Sequence, residues 1–116
     1  MKKIFVLSTL LLAAVMIQAQ QQRVNLRGLV RTTDPVTHSS VPLPKISVDL
    51  FRKQANNENW QLVASAYTDE SGFYYFNNIS LGSYYIQINK RKNYDISVTP
   101  IDERRQSFLD IPVLKY

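Results

Sequence analysis

Apolar and polar residues alternate in short runs along most of this chain. That is the period of a half-buried β-strand, and no stretch carries a sustained helical stripe. Val24, Leu26 and Val30 alternate with Asn25, Arg27 and Arg31, predicting a first strand in which Gly28 interrupts the pattern. Ile46, Val48 and Leu50 alternate with Ser47 and Asp49 in a second. Trp60–Thr68 reads as a third strand with apolar groups on both faces, so its orientation is left open. Phe73–Phe76 is a short fourth strand, Tyr84–Asn89 a fifth, Tyr94–Thr99 a sixth ended by Pro100, and Phe108–Leu114 a seventh. Pro112 marks the seventh as an edge or a bulge, because proline cannot donate to a ladder. Thr32–Pro44 reads as a loop containing Pro35, Pro42 and Pro44, and Gln54–Asn59 as a polar hairpin tip. Asp69-Glu70-Ser71-Gly72 reads as a turn, with Gly72 supplying positive φ. Seven short strands without an intervening helix predict an all-β, seven-stranded antiparallel two-sheet sandwich.

The first residues have a different character. Lys2 and Lys3 precede Ile4–Ile17, which is apolar apart from Ser8 and Thr9, and Gln18-Ala19-Gln20 follows. A basic start, an apolar run and a small residue predict a cleaved secretory signal peptide over residues 1–19, with the domain at 20–116. The run is shorter than the ~20 apolar residues of a spanning helix, so no transmembrane span is expected after cleavage. Export discounts nucleic acid as a partner. The chain has 14 basic and 9 acidic residues; without Lys2 and Lys3 the excess is about +3. No cysteine is present, so no lipid anchor on cysteine and no disulfide is available. The domain must stand on its apolar core, burying roughly 60–65% of its extended-chain surface. The short basic signal and absent cysteines fit a bacterial envelope protein that is periplasmic, on the outer surface or secreted.

The densest pattern runs from Thr68 to Ile88: Thr68-Asp69, Gly72-x-Tyr74-x-Phe76, Ile79, then Gly82-x-Tyr84-x-Ile86-x-Ile88. Tyr74 and Phe76 are two apart and share a strand face, as do Tyr84, Ile86 and Ile88. Ile79 is placed to plug the end of the sandwich, and Gly82 lets the backbone reverse. This stretch resembles the carboxypeptidase regulatory-like domains, transthyretin-like (prealbumin-like) β-sandwiches related to collagen-adhesin B-type repeats. Pro42-Leu43 before Ile46 resembles the same family's entry to its second strand, with Ser40 where glycine is usual. The resemblance implies a transthyretin-like Greek key and a non-catalytic attachment to larger proteins or assemblies.

Candidate chemistry is sparse. The one histidine, His38, lies in the Thr/Ser/Pro loop near Asp34, without a Gly-x-Ser-x-Gly elbow, so no catalytic residue is assigned. One histidine and no cysteine argue against a zinc site, and Asp69-Glu70 and Asp102-Glu103 lack calcium-loop spacing. No cofactor and no metal are expected, and the chain is read as not an enzyme. Adhesin-type relatives form a Lys–Asn or Lys–Asp crosslink from a first-strand lysine. Here that strand carries Arg23, Arg27 and Arg31, so no crosslink is expected.

Binding remains. With Tyr74, Phe76 and Tyr84 inward, Phe73, Tyr75 and Tyr85 face outward, and Trp60 sits at a strand start. Lys90-Arg91-Lys92 and Arg104-Arg105 flank the sixth strand, where they protect an edge or meet to attract anionic groups. The candidate surface is Trp60, Phe73, Tyr75, Tyr85, Lys90, Arg91 and Lys92. The expected function is a structural or protein-interaction module of the envelope. The alternative is a carbohydrate-binding module using exposed aromatics. The partner is thus another envelope protein or a glycan, and the oligomeric state is left open.

Overall fold

The computed structural model describes residues 22–53 and 59–116. Residues 1–19, expected to be a signal peptide, and most of the Gln54–Asn59 tip lie outside them. The described chain is a two-sheet β-sandwich without helix, as the alternation predicts. Its strands are β1 (Arg23–Thr33), β2 (Ser40–Pro42), β3 (Ser47–Lys53), β4 (Trp60–Tyr67), β5 (Phe73–Ser80), β6 (Gly82–Ile88), β7 (Lys92–Val98), β8 (Leu109–Asp110) and β9 (Leu114–Lys115). One sheet has the order β4-β3-β6-β7, all antiparallel. The other is built on β1, which pairs antiparallel with β2 and β5 and parallel with β8 and β9.

Nine segments therefore replace the seven expected. The seventh strand is split where Ile111-Pro112-Val113 leaves the ladder, and its pieces run parallel to β1. β2 emerges from the proline-rich loop as three residues, which Pro42 tolerates because β2 lies at the edge of its sheet. β5 runs on past Phe76 to Ser80, absorbing a register shift near Asn25, and the Asn25 side chain accepts the Asn78 amide. Only Leu81 separates β5 from β6, although they belong to different sheets.

The motif residues build the core. Tyr74, Phe76, Ile79, Tyr84, Ile86 and Ile88 are all buried, packed with Val24, Leu26, Val30, Val48 and Leu50. Gly72 (φ 83°) closes the turn in which Asp69 accepts the Ser71 and Phe73 amides on one carboxylate oxygen. Gly82 also holds a positive φ, at the crossover between sheets. The Tyr84 hydroxyl donates to the Ser80 carbonyl, tying that crossover together.

Tyr74 is less well provided for. Its ring lies across Gly28, directly opposite on β1, and its buried hydroxyl has no hydrogen-bond partner among the described residues. Burial pushes the phenol above its ordinary range. Tyr74→Phe removes an unsatisfied group and is expected to raise stability by about 1 kcal/mol, read as a higher urea midpoint at pH 7. The pH dependence has a definite sign. The unfolded phenol ionises near pH ~10 while the buried one stays neutral, so Tyr74 favours unfolding as pH rises above that value. The stability gap between variant and wild type should therefore widen between pH 10 and 11. A gap that is flat with pH, or a less stable variant, would show a satisfied hydroxyl.

Candidate functional site

The outer face of the four-stranded sheet carries the most distinctive surface of the molecule. Strand register arranges its outward side chains in rows. Trp60 is opposite Lys53, and Ser83 is opposite Ser97; continuing the β3–β6 register brings Lys53 beside Ser83. The next row is Leu62, Phe51, Tyr85 and Asp95. The third is Ser65, Asp49, Gln87 and Asn93.

Phe51 and Tyr85 of the second row form an aromatic cluster with Trp60 of the first. Phe51 stacks on Tyr85 with centroids 4.7 Å apart, and Trp60 meets Tyr85 edge-on at 4.5 Å. Beside it, Trp60, Lys53, Ser83, Asp95 and Ser97 line a concavity of about 370 Å³. Each of the four strands contributes at least one of these residues, at the end of the sheet nearest the β3–β4 hairpin.

The third row holds a buried charge. Asp49 is only 2% exposed although it lies on the outer face. Ser65 donates to its Oδ1 at 2.7 Å, and the Lys90 ammonium lies 2.5 Å from its Oδ2. That bond and the opposite charge raise the Lys90 pKa. The turn makes the contact. Asn89 and Lys90 both have positive φ (52° and 60°), and the Arg91 amide donates to the Ile88 carbonyl, the geometry of a type I′ hairpin. Glycine is the usual second residue there. Lysine accepts the strained conformation and reaches Asp49.

The candidate surface therefore falls into separate regions. Trp60 and Tyr85 meet on the four-stranded sheet. Phe73 and Tyr75 lie on the other sheet, beside a groove of about 550 Å³ that Arg27 and Asp110 also line. There the polar groups satisfy each other: Arg27 bonds Asp110 at 2.8 Å, which raises the Arg27 pKa, and its guanidinium lies over Phe108. Lys90, Arg91 and Lys92 cluster at the start of β7, where Lys92 lies over the Tyr116 ring at 5.8 Å. Arg104 and Arg105 follow the other end of β7 and pair with Asp102, so the two basic clusters do not converge. Lys53, Ser83, Asp95 and Ser97 were not singled out from the sequence. Such residues are ordinary on any strand, and only register between distant strands assembles them.

His38 is exposed in the β1–β2 loop, and the Asp34 carboxylate accepts the Val36 amide there. Among the described residues no group of three or more His, Cys, Asp or Glu is placed to hold a metal. Nor is any helix among them long and apolar enough to cross a membrane.

β4 completes the site's border. It is an edge strand whose one neighbour in the sheet is β3. Its eight residues, WQLVASAY, include no charge, no proline and no glycine. Among the described residues, four of the seven exposed large hydrophobic side chains lie on it: Trp60, Leu62, Val63 and Tyr67. No protein-family model matches the chain, and no curated protein matches it.

Proposed function

We propose that this chain is an exported, non-catalytic β-sandwich module of the bacterial cell envelope, kin to the carboxypeptidase regulatory-like domains, that docks an extended apolar strand of another envelope protein along β4. The β4 edge carries this reading. Soluble proteins blunt edge strands with lysine, proline or short length, and β4 has none of these. Its register shift opposite Leu50/Phe51, at Val63, is its one irregularity. Tyr67 is 73% exposed and Leu62 53% exposed, which suits residues whose cover comes from another chain. Added strands bind through main-chain hydrogen bonds, with alternate side chains giving selectivity. The kinship rests on the buried Gly72–Ile88 motif and the two-sheet architecture. The non-catalytic reading rests on the polar β1–β2 loop around His38.

Strand addition makes a direct prediction. A photo-crosslinker at Tyr67 should capture one defined partner chain in native cells, and the same group at Tyr75 on the opposite sheet should not. Val63→Lys with Tyr67→Lys should abolish capture from a crosslinker at Leu62 and keep the circular dichroism of a β-sandwich. Equal capture from both sheets, or capture indifferent to the two lysines, would refute docking along β4.

A further inference from the structure

We infer that the concavity beside β4 is a binding subsite for a neutral saccharide, with Trp60 as its aromatic wall and Lys53, Ser83, Asp95 and Ser97 as its polar rim. The inference stands apart from strand docking, since it concerns the outer face of the sheet, and of its residues only Trp60 lies on β4.

A sugar ring presents a weakly polar C–H face and a rim of hydroxyls that both donate and accept. A site for it needs a flat apolar surface flanked by unengaged donors and acceptors. The concavity has both. Trp60 stands 37% exposed, and its edge-on contact with Tyr85, itself stacked on Phe51, holds that wall in place. Rigid aromatic anchors of this kind lose little entropy on binding. At about 370 Å³ the concavity sits at the small end of the range for small-molecule sites.

The rim separates this site from the other surfaces. The ion pairs of the described surface join Arg27 to Asp110, Lys45 to Glu70, Lys90 to Asp49, and Arg104 and Arg105 to Asp102. Lys53 and Asp95 belong to none of these, and among the described residues no side-chain hydrogen bond involves the hydroxyl of Ser83 or Ser97, which are opposite each other across β6 and β7. The rim thus offers an ammonium donor, a carboxylate acceptor and two hydroxyls that serve as either. Its charges sum to zero, which selects a neutral ligand over a polyanion. The groove beside Tyr75 lacks this provision, because Arg27 and Asp110 occupy each other.

Trp60 is the sole tryptophan of the chain, so its fluorescence reads the site directly. The purified protein is titrated with neutral oligosaccharides built from glucose, mannose and N-acetylglucosamine, and with an anionic polysaccharide. A saturable change in emission is expected with at least one neutral probe and not with the polyanion. The Asp95→Ala, Ser97→Ala double variant should weaken that binding about tenfold, and Tyr75→Ala should leave it unchanged. Val63→Lys with Tyr67→Lys should retain sugar binding, so failure of strand docking and failure of this site are separable. No saturable response to any neutral probe would overturn the inference. So would undiminished binding by the double variant, or a response confined to the polyanion and lost on Arg91→Ala with Lys92→Ala.

Discussion

Phe76→Ala is expected to lower the unfolding free energy by about 3–5 kcal/mol, measured as a shift of the denaturant midpoint at unchanged slope. Phe76 is 3% exposed and lies opposite Leu26 in the β1–β5 ladder. Its ring packs against Tyr74 at 5.7 Å between centroids. Truncation removes the transfer free energy of the ring and leaves a void that two hydrogen-bonded sheets cannot close. A domain of this size has about 5–15 kcal/mol in all, so the variant would sit near its unfolding threshold. A midpoint shift no larger than that of an exposed-site variant such as Val36→Ala would place Phe76 outside the core.

Gly28→Ala is expected to be nearly as damaging, at about 3 kcal/mol, although it adds a single methyl group. A Cβ built on Gly28 falls 2.1 Å from both Cζ and Oη of Tyr74. The ring has nowhere to retreat, because Tyr74 is completely buried among close-packed neighbours. Either β1 moves away from β5 or the ring leaves its rotamer. The pair can be tested as a unit. Tyr74→Leu shortens the side chain at the point of conflict, so Gly28→Ala should cost much less in that background. Equal cost in both backgrounds would show that the glycine is needed for its backbone and not for space.

The core was legible from alternation because each strand that supplies it is long, regular and apolar on one face. Tyr74 with Phe76, and Tyr84 with Ile86 and Ile88, point inward as period two requires. Gly28 stood out as an interruption, but its reason is a ring from a strand roughly 45 residues away, which local pattern does not contain. β4 was ambiguous for a structural reason: the register shift puts Val63 out of step, so Leu62 and Ser65, three apart, share a face. β2 was masked by prolines that an edge accepts. The seventh strand was read as one piece because its apolar residues continue through Pro112, whereas the ladder does not.

The candidate site was only partly visible. Trp60 and Tyr85 are bulky and announce themselves. Their grouping with Phe73 and Tyr75 failed because the chain changes sheets at Leu81, which places aromatics close in sequence on opposite sides of the molecule. The Lys90–Asp49 contact was hidden more deeply still. It needs a buried carboxylate on β3 and a lysine in a left-handed conformation 41 residues later.

The position of β1 sets an order on folding. β1 is the first strand of the described chain, yet Leu26 and Arg27 pair with Leu109 and Asp110, and Val30 and Arg31 with Leu114 and Lys115. Arg27 and Asp110 stand 83 positions apart, and contacts of such long sequence separation form slowly. Until Leu109–Asp110 and Leu114–Lys115 dock, one flank of β1 keeps its main-chain donors and acceptors unpaired.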